Sequence, residues 1–156
     1  MSAEFQEVVD GKHFYHFSGI VQPLGKLSSQ MLWNPPGSGV YFGIWQMWFY
    51  KSLATEINMK RRTSILGTGG SLRNSALFPG NGSGPASTPI EQYSDLTATA
   101  APVANALLVF PKGADDLTFK HPLVFGPGEG VIVYPDTLQA LNWSWSVMGE
   151  VTGIPA

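Results

Sequence analysis

The stretch from Leu141 to Val151 constrains the fold of this chain more than any other. Leu141, Trp143, Trp145 and Val147 alternate with Asn142, Ser144, Ser146 and Met148. A period of two puts successive side chains on opposite faces, so the pattern reads as a half-buried strand with one aromatic face. Such a strand needs partners, and the preceding sequence supplies them. Val131-Ile132-Val133-Tyr134 is a β-branched run between two turn signals, Gly126-Pro127-Gly128-Glu129-Gly130 and Pro135-Asp136. Ala106 to Phe110 and Leu123 to Phe125 read as further strands, with turns at Pro111-Lys112-Gly113 and His121-Pro122. The C-terminal third is therefore expected to form an antiparallel meander or Greek key.

Upstream, Val40 to Tyr50 is apolar on both alternating faces, interrupted only by Gly43 and Gln46, which predicts a strand buried on both sides. Asn34-Pro35-Pro36-Gly37-Ser38-Gly39 leads into it and cannot be helical. Leu53, Thr55, Ile57 and Met59 alternate with Ala54, Glu56, Asn58 and Lys60 and predict the next strand. Phe14 to Val21 and Gln30 to Trp33 are weaker strand candidates. Between the two halves, residues 67–102 are dominated by Gly, Ser, Thr, Ala and Pro. This composition predicts a long loop, or an arm that orders by wrapping a neighbour, with one short helical turn near Ile90 to Leu96. The 18 Gly and 12 Pro of the 156 residues leave little room for long helices and suit short strands joined by turns. The expected fold is a single β domain over residues 1–156, an antiparallel β-sandwich or jelly-roll-like barrel. Residues 1–13 form an N-terminal extension in this reading, and residues 67–102 an extended loop or arm.

Charge is unusually sparse. Only 13% of residues are charged, where about 25% is typical. The net charge is −2, 44% of residues are apolar and five are Trp. A surface so poor in charge is expected either to be covered by Ser, Thr and Asn or, the reading favoured here, to be covered in large part by neighbouring subunits. Glu4, Glu7 and Asp10 stand where a signal peptide would carry basic residues, so synthesis in the cytosol is expected. No stretch approaches the roughly 20 apolar residues that span a bilayer as a helix, and no membrane partner is expected.

Candidate chemistry is thin. Gly67-Thr68-Gly69-Gly70-Ser71 lacks the Gly-Lys-Ser/Thr ending of a phosphate loop. His13 and His16 share a face only in a helix, and a metal site would need a third ligand such as Asp10. Asp115-Asp116 reads as a solvated turn. There is no Gly-x-Ser-x-Gly elbow, and the chain has no Cys to serve as a nucleophile or metal ligand. No cofactor and no catalytic residue are assigned. Lys60-Arg61-Arg62 is the single basic cluster, read as a salt-bridging strand end that in an assembly meets an acidic neighbour. With a net charge of −2 and no interleaved aromatic-basic pattern, no nucleic-acid partner is expected. Trp33, Trp45, Trp48, Trp143 and Trp145 are expected in the core or at a subunit interface, with a sugar-stacking face as the alternative. The candidate interface comprises Trp45, Trp48, Tyr50, Lys60, Arg61, Arg62 and Phe78.

The run Asn34-Pro-Pro-Gly-Ser-Gly-Val40, opening an apolar strand, resembles the small β-structured virion proteins of tailed phages. So does the closing block Leu123-Val-Phe-Gly-Pro-Gly-Glu-Gly-Val131 followed by Asn142-Trp-Ser-Trp-Ser-Val147. Within that group the capsid decoration, or cement, proteins are nearest. The resemblance extends in style over residues 14–151 and consists of turn chemistry and strand patterning, with no family functional residue to carry across. It implies a β-barrel or jelly-roll subunit, often a homotrimer, that assembles in the host cytoplasm onto the capsid surface. There it would contact the major capsid protein and reinforce the shell without catalysis. The alternative expectation is a tail- or fibre-associated module that recognises a host glycan or receptor.

Overall fold

The computed structural model describes residues 13–65, 90–98, 108–110 and 116–153. These contain nine strands and no helix: β1 (His13–Gln22), β2 (Leu27–Asn34), β3 (Val40–Lys51), β4 (Ile57–Arg62), β5 (Glu91–Ala98), β6 (Leu108–Phe110), β7 (Asp116–Phe125), β8 (Glu129–Pro135) and β9 (Leu141–Gly153). Two antiparallel sheets face each other. One has the order β1-β9-β3-β7 and the other β5-β2-β8-β4-β6. Leaving β5 aside, the pairs β1–β9, β2–β8, β3–β7 and β4–β6 nest inside one another like the rungs of one long rolled hairpin. This is the jelly-roll order, closed by β3–β9 and β4–β8 pairing.

Turn chemistry explains where the chain changes sheets. Pro23-Leu24-Gly25-Lys26, Pro35-Pro36-Gly37-Ser38 and Gly126-Pro127-Gly128-Glu129 are each closed by a hydrogen bond from the fourth N–H to the first carbonyl, at 3.1–3.3 Å. Each has Gly in its third position at a positive φ of 79–80°. That conformation costs an L side chain energy and costs Gly almost nothing, and in two of the turns a preceding Pro presets the second position. The Asn34-Pro-Pro-Gly-Ser-Gly segment gains a second role here. Asn34 is fully buried, and its Nδ2 donates to Val40 O (2.9 Å) and Phe125 O (3.2 Å). Its Oδ1 accepts from Ser38 Oγ at 2.6 Å, and its carbonyl accepts from Gly128 N at 2.8 Å. One residue thus ties the β2–β3 turn to the β7–β8 turn at one end of the sandwich.

The core lies between the sheets. Phe42, Ile44, Met47 and Phe49 of β3, and Leu141, Trp143, Trp145 and Val147 of β9, meet Leu32, Ile57, Met59, Val131 and Val133 from the other layer. Phe42 stacks on Phe125 at 4.9 Å, and Phe49 lies 6.4 Å from both Trp143 and Trp145. The expected aromatic face of the last strand is this core face. A second apolar cluster, Leu27, Met31, Trp33, Ile132 and Tyr134, lies on the opposite face of the five-stranded sheet, so β2 is buried along its whole length.

Several local expectations need correction. The helical turn near Ile90 to Leu96 is strand β5, because its backbone hydrogen-bonds along the edge of β2. The C-terminal strands are no meander. Successive members of β6 to β9 lie in opposite sheets, since the rolled hairpin pairs each with a strand from the first half of the chain. The strand expected from Leu53 begins at Ile57, with Lys51 Nζ donating to Thr55 O (3.0 Å) across the bend between. Asp116 opens β7 instead of sitting in a turn. β3 is fully buried on one face only. Of the expected arm, residues 67–89 and 99–102 lie outside the described residues, as do residues 1–12 of the N-terminal extension.

Candidate functional site

β1 is built inside out. Alternation alone would turn Phe17 and Val21 inward and Ser18 and Gln22 outward, and the structure does the reverse. Ser18 and Gln22 are buried, while Phe17 is 57% and Val21 68% exposed. Ser18 and Gln22 are tolerated inside because each finds partners. The Ser18 hydroxyl donates to Gln30 Oε1 and accepts from Gln92 Nε2 at 2.7 Å. Gln22 Nε2 donates to Thr137 O and Gln139 O, both at 2.8 Å, and its Oε1 accepts from Ser28 N at 2.8 Å. Ser28 Oγ in turn accepts from Trp143 Nε1 at 2.6 Å. A buried polar group needs such a partner to avoid its desolvation cost. The exposed apolar pair has no such account in the monomer. Leaving the exposed part of each in water forgoes roughly 1–2 kcal/mol of burial.

The rest of this outer face fits the same description. The register sets Phe17, Ser146, Trp48 and Asp116 side by side in one row, and Gly19, Ser144 and Tyr50 in the next. Tyr50 is 64%, Val124 45% and Tyr41 40% exposed, while Trp48 is half-buried. Between them β9 presents Asn142, Ser144 and Ser146, which are small and uncharged. Two shallow depressions interrupt the face. One, of about 290 Å³, is bounded by Gly19, Val21, Tyr50, Asn142 and Ser144. The other, of about 330 Å³, is bounded by Tyr41, Gly43, Val124, Glu150 and Thr152. Each contains a glycine where a side chain would stand. A Cβ on Gly19 would meet Ser144 Cβ at an ordinary 3.6 Å, whereas one on Gly43 would press Pro122 at 3.3 Å. Projections and hollows of mostly apolar character therefore share one sheet face.

The sequence-based candidates divide between the two sheets. Trp48 and Tyr50 lie on this face, and Trp45 is the half-buried residue at the irregularity between Ile44 and Gln46. Lys60, Arg61 and Arg62 belong to β4 in the other sheet and do not join them. Arg61 is structural. Its Nη1 pairs with Glu129 Oε2 at 3.0 Å, its Nη2 donates to Val124 O at 2.9 Å, and its guanidinium lies 4.5 Å from the centre of the Phe125 ring. Arg62 Nη2 donates to Ser64 Oγ at 3.2 Å. Within the chain, Glu129 meets Arg61 of this salt-bridging strand end. Phe78 lies outside the described residues. Trp33, Trp143 and Trp145 are buried. Sequence reasoning missed Phe17 and Val21, because the inverted β1 carries no local mark of its inversion, and Tyr41 and Val124, because only the pairing of β3 with β7 and β9 brings them to the same sheet face.

Among the described residues no three His, Cys, Asp or Glu side chains converge as metal ligands. His13 and His16 lie on one strand, and His16 is buried edge-on against Trp145 at 5.8 Å. No family model matches the chain, and neither a curated protein nor a solved structure matches it.

Proposed function

We propose that this protein is a non-catalytic assembly subunit that meets other proteins through the outer face of its four-stranded sheet. The setting we propose is a tailed-phage virion, where copies of the chain, as homotrimers on the capsid surface, contact the major capsid protein and stabilise the shell. The observation that carries the reading is the inversion of β1, which hides hydrogen-bonding groups and leaves Phe17 and Val21 in water. The jelly roll serves viral coats, lectins and cupins alike, so the fold does not choose among them. The face does favour protein contact. Its hollows are lined mainly by apolar groups, and its neighbouring projections are of a size to enter such hollows on a partner. Stabilisation of a shell by mass action needs no reactive group, and many weak copies hold together strongly.

The test is the solution mass by light scattering, followed by binding to shells. The native chain is expected to form trimers or a concentration-dependent assembly. A Val21→Arg/Tyr50→Arg variant should remain folded and fall to monomer. A native chain that stays monomeric and binds no shell overturns the reading. A saturable titration with a neutral glycan, lost in Tyr50→Ala, would assign the face to sugar recognition instead.

A further inference from the structure

We infer that β1 is a self-complementary edge: two copies of this chain join antiparallel through it, with Phe17 of each beside Gly19 of the other. The inference goes beyond the outer-face reading and stands without it, because it concerns the backbone edge of the sheet.

A comparison of the four sheet edges is the first support. The two strand orders leave β1, β7, β5 and β6 at the edges. An edge strand offers a row of unpaired N–H and C=O groups, which folded proteins guard with short strands, charge, Pro or a bulge. β6 is guarded by its length, since it runs only from Leu108 to Phe110. β5 carries Glu91 and Asp95, and its register with β2 shifts between Leu27 and Ser29. β7 carries Asp116, Lys120 and Pro122, and its register with β3 shifts between Ile44 and Gln46. β1 has none of these devices. From His13 to Gln22 it contains no Asp, Glu, Lys, Arg or Pro, and it pairs with β9 residue by residue without a shift. Among the described residues, β9 is its one strand neighbour. A long, regular, uncharged edge recruits another strand.

The second support is that the exposed apolar pair lies on this same strand. Phe17 is 57% and Val21 68% exposed, and Gly19 between them is exposed as well. Two copies related by a two-fold axis perpendicular to the sheet keep their outer faces on one side. Outward residues must then oppose outward residues, or the pleats do not match. Centring the pair on Ser18 meets that condition and opposes Phe17 of each copy to Gly19 of the other. The ladder runs from Phe14 past Val21 to Gln22, where Pro23 ends it. A large ring beside a glycine is a favourable cross-strand neighbour, because the glycine leaves the space that the ring fills. The hollow of about 290 Å³ bounded by Gly19, Val21, Tyr50, Asn142 and Ser144 is that space. Two-fold pairing also brings each residue close to its own counterpart, where Asp, Glu, Lys or Arg would repel itself, and β1 carries none of them. A two-fold contact cannot close a trimer, so in the proposed setting it joins copies from neighbouring trimers.

The chain has no Cys, so introduced thiols report the pairing without background. Opposed antiparallel residues fall within disulfide range. A mixture of Phe17→Cys chains and Gly19→Cys chains is expected to oxidise to the heterodimer in preference to either homodimer, since the mixed pair keeps one Phe17–Gly19 contact intact. A Cβ at Gly19 has room, 3.6 Å from Ser144 Cβ, so that variant is expected to fold. Equal or faster linking of either variant with itself overturns the register, and no link from any of them overturns the pairing. Hydrogen exchange of the native chain gives the second readout. Alternate β1 amides, those directed away from β9, are expected to slow by about tenfold or more as concentration rises. Packing through the outer faces alone leaves those amides open to water. Unchanged exchange in a protein that still binds shells therefore overturns the inference and leaves the outer-face reading standing. Slowed β1 exchange in a protein that binds no shell upholds the inference and removes the shell-binding role.

Discussion

Single residues decide whether the two sheets close on each other. Asn34 is the clearest case, because its amide satisfies carbonyls from β3 and β7 that sit at a buried chain crossing. Asn34→Ala should cost about 2–3 kcal/mol, since truncation strands more than one buried partner. Urea unfolding followed by Trp fluorescence will read this as a lower midpoint with an unchanged slope. Gly130 is constrained differently, by space. A Cβ there would stand 2.5 Å from Leu32 O and 2.9 Å from the Trp33 ring. The first contact is with backbone and cannot swing aside. Gly130→Ala is therefore expected to destabilise by about 1–3 kcal/mol or more in the same assay. Gly19→Ala should be nearly silent by comparison, because its Cβ has room.

Among the elements, β1 and β5 depart most from what a local pattern would give. β1 shows that alternation identifies a strand but not which of its faces is inside. Ser18→Val, which removes the central hydroxyl of the seam, should destabilise by about 1–3 kcal/mol despite adding apolar volume, because Gln30 and Gln92 lose a buried partner. β5 brings a titratable contact to the β2 edge. Tyr93 donates to Glu91 Oε2 at 2.6 Å, and that hydrogen bond, then burial, then the Glu91 charge raise its pKa above the ordinary tyrosine value. Burial, reinforced by the Asp136 charge, raises Tyr134 on β8 in the same direction. A pKa raised on folding means that the proton is held more tightly in the native state. The associated stability is complete below the unfolded tyrosine value, near 10, and is lost as pH climbs through the folded values. Alkaline unfolding should accordingly begin above about pH 10. Tyr93→Phe should flatten the pH dependence there, which denaturant melts from pH 8 to 11 will measure.

At the scale of the whole molecule, each jelly-roll pair joins strands from opposite halves of the chain. Such non-local pairing must pay loop-closure entropy before contacts form. Refolding after denaturant dilution should therefore take roughly milliseconds to seconds, the range of all-β sandwiches, when followed by stopped-flow Trp fluorescence. Microsecond folding would contradict the nested order of pairs. The same architecture puts both surfaces that matter for assembly on one sheet. The inverted β1 places exposed apolar groups on its outer face and also forms its unguarded edge.

The all-β class was determined by the sequence itself. The period of two in Leu141 to Val147 and the Pro-Gly turns fix extended backbone and reversals through local sterics, which need no knowledge of distant residues. Trp143 and Trp145 were legible as one face for the same reason. Tertiary structure alone decided which strands pair, because pairing depends on contacts far apart in the chain that no local pattern encodes. It also decided that Ser18 and Gln22 face inward, since their burial is tolerable only with Gln30, Gln92, Ser28 and the carbonyls of Thr137 and Gln139 in place. The candidate face follows from that choice: Phe17 and Val21 are outside because polar partners from distant strands hold their neighbours within.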